Sequence, residues 1–391
     1  MGKKAVISGI GESRLGKLPD QTMLEFTFEA AKKACDDAGI TFQDLDGLIL
    51  HPAFHVSPRY HIYMTEMMGL YCKTYCDTTQ MGGAGFGAAL ERAKGAVESG
   101  QSRHILILGG EKMATGMASG AAMMASAGAH NLDFEYPFGA TVPSYYGMLA
   151  QRYLYEYGKG PETFAQVAVT IRKHAHRNPL AYMRDLITVD DVLNSRMVSE
   201  PHHLLDCALV SDGAGAYVVS AQGTSKDPKR EVGFLGFGQA QSFYHMAQLA
   251  RGYGDHDLIH SVIDVAGKRA FGEAGLKPED MDVIEIYDSF TSTVVIQLED
   301  LGFCGRGEAG EWLASGIADP DGAQPMTTHG GLLSCAHPGA SGGMHHIIEA
   351  VKQVRHEAGP TQAKKADVVL ATSVSAVASN FAVTILNSAA A

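Results

Sequence analysis

Three stretches of this chain combine residue types and spacings that suit proton transfer or the stabilisation of an oxyanion. Residues 78–100, TTQMGGAGFGAALERAKGAVESG, run from a strand-like segment through glycines into a helix-forming one. Backbone N–H groups at a helix start, backed by the positive end of the helix dipole, stabilise an anion wherever the chain can approach closely. Gly82, Gly83 and Gly85 permit that approach; they equally suit tight packing of a strand against a helix. Residues 285–291, EIYDSFT, put Tyr287 at the end of a buried strand, the edge where α/β sheets place ligands. Residues 329–343, HGGLLSCAHPGASGG, put His337 in a Gly/Ser/Pro loop leading into a helix. With ordinary pKa values of about 10 and about 6.5, a tyrosine and a histidine suit a proton donor or relay and a base near neutral pH. The plainer alternative is that Tyr287 packs beneath the loop and His337 fixes the turn before Pro338.

Other chemistries find less support. Residues 9–14, GIGESR, lack the third glycine of a dinucleotide fingerprint and no acidic ribose ligand follows, which argues against a nicotinamide site. There is no GxxxxGK[ST] loop and no GxSxG elbow, so neither nucleotide hydrolysis nor α/β-hydrolase chemistry is indicated. His202 and His203 with Asp206, and His345 with His346, lack the HxxxH or HExxH spacing that gathers metal ligands. No metal is expected, and these histidines read as surface or capping residues. Cys72 and Cys76 lie on one face of a strand with no second pair nearby, and read as small core residues.

The elements that must position Tyr287 and His337 follow from periodicity. Residues 4–11 form a strand and 22–39 an amphipathic helix closed by Gly39; strands at 46–50, 73–79 and 104–108 alternate with a helix at 85–99. Between 111 and about 200 helices dominate, at 145–157, 163–176 and 188–195, and suggest an inserted lobe. A strand at 214–220 and a polar linker at 222–230 precede a second run of the same order: strands near 231–238, 283–287, 368–372 and 381–386, with helices at 259–275, 290–301 and 343–356. Two similar halves of five strands and their helices imply a duplicated α/β architecture, divided as 1–225 and 231–391.

Composition bounds the partners. The 391 residues exceed one hydrophobic core. An apolar fraction of 46% with 19% charged residues is globular. The net charge of −12, without Lys/Arg-rich runs, makes nucleic acid a poor partner. No segment reaches the ~18 apolar residues of a membrane span; the Ala/Met/Gly stretch at 115–129 is broken by Gly and Ser. Six cysteines without CxxC imply reduced thiols and a cytoplasmic location.

Five segments together resemble the thiolase superfamily, in particular the sterol-carrier-protein type thiolases: ILGGEKMATG (107–116), RKHAHRNPLAYMRDLITVDDVLNSRMV (172–198), SDGAGAYVV (211–219), YDSF (287–290) and GGLLSCAHPGASGG (330–343). The resemblance implies a five-layer fold of two βαβαβαββ halves with a helical loop domain at about 112–200, acting as a homodimer on acyl-CoA thioesters. The departures from that family are as informative. Its nucleophilic cysteine begins the helix after the third strand, in a pattern like CASGxxAL, 28 residues before the Glu of a GxEKM signature; counting back from Glu111, and separately from Leu90, gives Gly83. Cys76 lies seven residues upstream, roughly 20 Å away in a strand. The second family cysteine has no counterpart in SVSAVASN (373–380), and Tyr287 stands where His or Asn is usual. Only the GHP histidine survives, as His337.

Without a thiolate the covalent acyl-enzyme of a thiolase cannot form at Gly83. A retro-aldol cleavage needs only an oxyanion site, here Gly83 and Ala84, and a base, and the chain is similar in this to the thiolase-like acyl-CoA aldolases of steroid side-chain breakdown. That resemblance implies a β-hydroxyacyl-CoA substrate, no cofactor beyond its coenzyme A, and a small OB-fold, zinc-ribbon partner chain. The alternatives are acyl transfer in a multi-subunit complex and a non-catalytic acyl-CoA-binding subunit.

Overall fold

The computed structural model describes residues 4–51, 60–71, 73–116, 133–243, 246–375 and 377–389. Cys72 and most of the Ala/Met/Gly stretch at 115–129 lie outside them. Its strands are β1 (Ala5–Glu12), β2 (Gly47–His51), β3 (Tyr75–Thr78), β4 (His104–Lys112), β5 (Met197–Ser199), β6 (His202–His203), β7 (Asp212–Ala221), β8 (Val232–Gln241), β9 (Val283–Glu285), β10 (Val368–Ser375) and β11 (Asn380–Ser388). Its helices are α1 (Met23–Ala38), α2 (Tyr60–Met67), α3 (Ala84–Glu98), α4 (Val142–Tyr157), α5 (Glu162–Arg177), α6 (Val189–Leu193), α7 (Met246–Arg251), α8 (Ile263–Ala274), α9 (Thr291–Asp300), α10 (Ala309–Ala314) and α11 (Gly342–Val354).

Local sequence sets these boundaries. Thr22 and Glu25 form a reciprocal capping box at the start of α1, and Gly39, in the left-handed region at φ 72°, ends it. Thr188 caps α6 through Asp191 in the same way. The HILIL run of β4 is buried on both faces because alternate side chains enter different cores. Ile105 and Ile107 join Phe86, Leu90, Met344 and Ile348, whereas Leu106 and Leu108 join Phe26, Ala30 and Ala34 of α1.

Nine strands are linked in the order β3-β2-β4-β7-β1-β8-β11-β10-β9. At the centre β1 and β8 pair antiparallel over two residue pairs, Val6–Gly233 and Ile7–Val232. Outward from that seam the halves repeat, β1-β7-β4-β2-β3 on one side and β8-β11-β10-β9 on the other. Helices α3 and α11 each pack on strands of both halves, α1 covers β1, β7 and β4 from outside, and α8 covers β8 and β11. The layers therefore run α, β, α, β, α, the duplicated thiolase architecture that the sequence leads one to expect. The fifth strand of the second half is reduced to a parallel bridge between Met326 and Ile284, because the chain turns at Thr327, φ 53°, before pairing can extend.

The helical lobe seats on the second half: Tyr145, Tyr146, Tyr153 and Phe164 share one core with Tyr287, Phe290 and Leu332. A short β5–β6 hairpin interrupts the helices where none is apparent in the sequence. Cys76 is exposed on the edge strand β3 rather than in the core. Among the described residues no helix is long and apolar enough to cross a membrane.

Candidate active site

Tyr287 follows the end of β9 by two residues and is pinned through its backbone. Its N–H donates to Thr372 Oγ1 of β10 at 2.9 Å, and its carbonyl accepts from Gln297 Nε2 of α9 at 2.7 Å. Thr372 in turn donates to Gln297 Oε1 at 2.7 Å, which closes a buried triangle behind the tyrosine. The phenol ring then reaches across to the start of α3. A Cβ placed on Gly83 would lie 2.9 Å from Tyr287 Oη, 3.0 Å from its Cε2 and 2.5 Å from the Val374 carbonyl oxygen.

The His337 backbone is held by two hydrogen bonds with Ser211: its N–H donates to Ser211 Oγ and its carbonyl accepts from the Ser211 N–H, each at 3.1 Å. Its Nε2 lies 3.5 Å from Tyr287 Oη, the outer limit of hydrogen-bond reach, with the two rings edge to face. Helix α11 begins five residues later, and Gly343 in its first turn packs on the Gly83 carbonyl with no room for a side chain. The two central helices thus start side by side. The first N–H groups of a helix have no intrahelical acceptor, so Gly83 and Ala84 present donors here. The fold brings together all four residues singled out in the sequence: Gly83, Ala84, Tyr287 and His337.

Burial dominates the electrostatics. It pushes the Tyr287 phenol well above its usual value, with Tyr146, Asp288 and Glu111 adding to the effect. It pushes His337 down to about 4, against the opposing pull of Asp288. The ordinary value of about 6.5 expected for His337 is therefore corrected: both groups are neutral at pH 7, one an O–H donor and the other with a ring nitrogen able to accept.

Sequence reasoning missed the shell around this pair. Tyr146 of the lobe stacks on Phe290 with ring centroids 4.3 Å apart, a roof that separation in sequence conceals. Beneath lies a buried polar cluster. His346 Nε2 is 3.1 Å from Asp288 Oδ1, His329 Nδ1 is 3.3 Å from Glu285 Oε2, and the His346 ring centroid is 5.8 Å from that of Tyr287. Burial alone would raise the Glu285 carboxyl, but His329 and His346 outweigh it and hold it below the usual carboxylate range. The reading of His202, His345 and His346 as surface or capping residues is overturned, since all three are buried. Helix α11 lies between the two halves of the sheet and is buried except at Lys352, and His345 there bonds Glu12 Oε1 at 2.6 Å. Of that group His203 does cap, at the turn Leu204–Asp206. The hint was the alternation of Glu285 and Tyr287 with Asp288 following, which carries acids into a strand end otherwise apolar.

Known proteins resemble this chain over most of its length. Residues 245–388 match the family model described as thiolase C-terminal domain-like. A steroid side-chain-cleaving aldolase of Thermomonospora curvata is 34% identical over 360 residues, 90% of each chain. A 17-hydroxy-3-oxo-4-pregnene-20-carboxyl-CoA lyase of Mycobacterium tuberculosis is 32% identical over 367 residues, 90% of this chain and 92% of its own. The solved Ltp2-ChsH2(DUF35) aldolase superposes with a TM-score of 0.85 at 32% identity, covering 98% of both chains. The chain belongs to the thiolase superfamily, in the branch that holds these thiolase-like aldolases.

Proposed function

We propose that the protein is a carbon–carbon lyase that cleaves a β-hydroxyacyl-CoA by a retro-aldol reaction, with Tyr287 and His337 moving the proton and Gly83 and Ala84 holding the thioester oxygen. The observation that carries this reading is the crowding at Gly83: the Tyr287 hydroxyl stands 2.9 Å from where a Cβ would be, in the space a nucleophilic thiol would need. An acyl-enzyme has no place to form, whereas a proton relay does.

The β-hydroxyl proton passes to Tyr287 Oη as the tyrosine gives its own proton to His337 Nε2, so the phenol stays neutral, as its burial demands. The bond between the α and β carbons breaks, its electron pair becomes a thioester enolate, and the β carbon leaves as a ketone or aldehyde. The enolate oxygen lies against the N–H groups at the start of α3. The imidazolium, favoured by Asp288, returns its proton through Tyr287 to the enolate carbon, giving a shortened acyl-CoA. No cofactor enters beyond the coenzyme A of the substrate. A steroid side chain as the acyl group is supported by the names of the two sequence relatives.

In the same reading 1–225 and 231–391 are the two thiolase-like halves, and the chain acts as a homodimer. The outer edge of β3, unpaired among the described residues, is a surface on which a second copy pairs. A small OB-fold, zinc-ribbon chain joins it; the similar Ltp2-ChsH2(DUF35) aldolase, named for two components, supports this. A cytoplasmic location fits the unpaired Cys35, Cys76, Cys207, Cys304 and Cys335.

The test is to incubate the chain, alone and with such a partner, with β-hydroxyacyl-CoA esters carrying steroid side chains. The expected products are a ketone and a shortened acyl-CoA, with no mass added to the protein. An acylated cysteine would instead assign acyl transfer, and tight binding without turnover, partner present, a non-catalytic subunit.

A further inference from the structure

We propose that Glu285, His329 and His346 bind one divalent metal ion of the zinc class, a structural ion that ties together the segments carrying Tyr287 and His337. One ligand atom from each of the three lies within 4.8 Å of the others. The separations are His329 Nδ1 to Glu285 Oε2 3.3 Å and His346 Nδ1 to Glu285 Oε2 3.8 Å. In a tetrahedral zinc site with bonds of ~2.0–2.2 Å, neighbouring ligand atoms stand about 3.3–3.6 Å apart. The His329–Glu285 pair already fits and the other separations must close by at most about 1 Å, and two histidines with one glutamate form a zinc donor set that leaves a fourth position for water.

Hydrogen bonding leaves the ligand atoms free. Glu285, His329 and His346 are all buried, yet among the described residues Glu285 Oε2 and the two Nδ1 atoms nearest it make no well-aligned hydrogen bond. Buried polar atoms are ordinarily paired, so three such atoms, one from each residue and gathered within 4.8 Å, call for an occupant. Glu285 Oε1 is already used, accepting from Thr328 N at 3.0 Å and Thr328 Oγ1 at 2.6 Å, which turns Oε2 to the histidines. The far nitrogen of His346 faces Asp288 Oδ1 at 3.1 Å, the carboxylate-behind-histidine arrangement that orients metal ligands. Asp288 is fixed in turn by the N–H groups of Leu332, at 2.8 Å, and Leu333, at 3.0 Å.

The three ligands come from the end of β9, the loop after Met326 and α11. Tyr287 is two residues beyond Glu285, and His337 lies between His329 and His346 in the chain. Enclosure on all sides makes the ion a staple, and the inference stands whichever reaction the site performs. The competing occupant is a proton on His346, shared with Glu285 and Asp288.

Metal analysis of the full chain, expressed with zinc supplied and freed of loose ions, is expected to give about one zinc per chain. Exhaustive chelation should lower Tm and re-added zinc restore it, and cobalt in its place should give the visible bands of a tetrahedral site. His329→Ala and Glu285→Gln are each expected to cut zinc content at least tenfold. Less than a tenth of an equivalent in the wild type with Tm unmoved by chelator would overturn the proposal in favour of the proton, even if neither variant folds. Zinc content equal in wild type and both folded variants would overturn it as well, placing the metal on the cysteines or elsewhere.

Discussion

The two halves of the sheet each send a helix into the layer between them, but α3 and α11 bring opposite things to the place where they meet. The first half arrives bare: Gly83 and Ala84 offer backbone donors and an absence of side chain. The second half supplies every side chain of the proposed chemistry, Tyr287 and His337 with Glu285, Asp288, His329 and His346 beneath them. The difference is complementary, since the Tyr287 ring fits only because Gly83 is empty. In the proposed chemistry two copies of one architecture serve as a donor surface and a proton-transfer surface, and a side chain on the bare side would clash with Tyr287.

The strongest way to break this division is to disable the loaded side. Tyr287→Phe keeps the ring and its packing and removes one hydroxyl; His337→Ala removes the proposed base. Each is expected to lower kcat on the true substrate by at least about a hundredfold, within the ~10²–10⁴-fold range of a lost proton-transfer group, with KM little changed because neither anchors coenzyme A. The double variant should lose little more than either single one, since the two act as one relay. Steady-state kinetics settle it: a kcat near wild type for Tyr287→Phe would reduce that residue to packing and end the mechanism.

Loading the bare side is the next test. Gly83→Cys restores the residue type of a thiolase but places a Cβ 2.5 Å from the Val374 carbonyl, where backbone must shift. Overpacking of this kind costs roughly 1–3 kcal/mol, seen as a lowered Tm, and thiolysis of acetoacetyl-CoA should stay at background because the second cysteine is missing as well. Thiolysis above background would show that Tyr287 can vacate the space, and the complementarity would fail.

The same asymmetry explains how much of the site the sequence discloses. The glycines after β3, the tyrosine at a strand end and the histidine in a Gly/Ser/Pro loop are local patterns, each readable within about fifteen residues. The alternation of apolar runs likewise reveals nearly every strand and the central helices, because burial imposes its period locally. The fifth strand of the second half escapes detection, being a single bridge at Met326. The shell escapes for another reason. Tyr146 reaches Phe290 across 144 residues, and His346 meets Glu285 only because α11 is sandwiched between the two halves of the sheet, with His329 brought in by a separate loop. No spacing rule for a single helix or strand can register such a meeting, and a histidine pair on a buried helix looks in sequence like one on a surface.

The smallest expected effect concerns pH, and it sharpens the comparison because it predicts that the loaded half stays silent near neutrality. An exposed histidine acting as base would give an acid limb in kcat near pH 6.5. Burial moves His337 to about 4, so kcat should change by less than about twofold between pH 6 and pH 8. The sign for stability follows from linkage. A histidine whose folded pKa lies below its unfolded value binds fewer protons when folded, so its contribution is complete above about 6.5 and is lost as pH falls toward 4. His174 and His202, both also pushed down to about 4 by burial, act in the same direction. Activity and Tm should therefore decline together below pH 6.5, with the fold giving way rather than the base switching off. Rate profiles and melting curves taken over the same pH series separate the two: an acid limb in kcat near 6.5 with Tm unchanged would mean that His337 meets water in the working enzyme, and the buried relay would have to be abandoned.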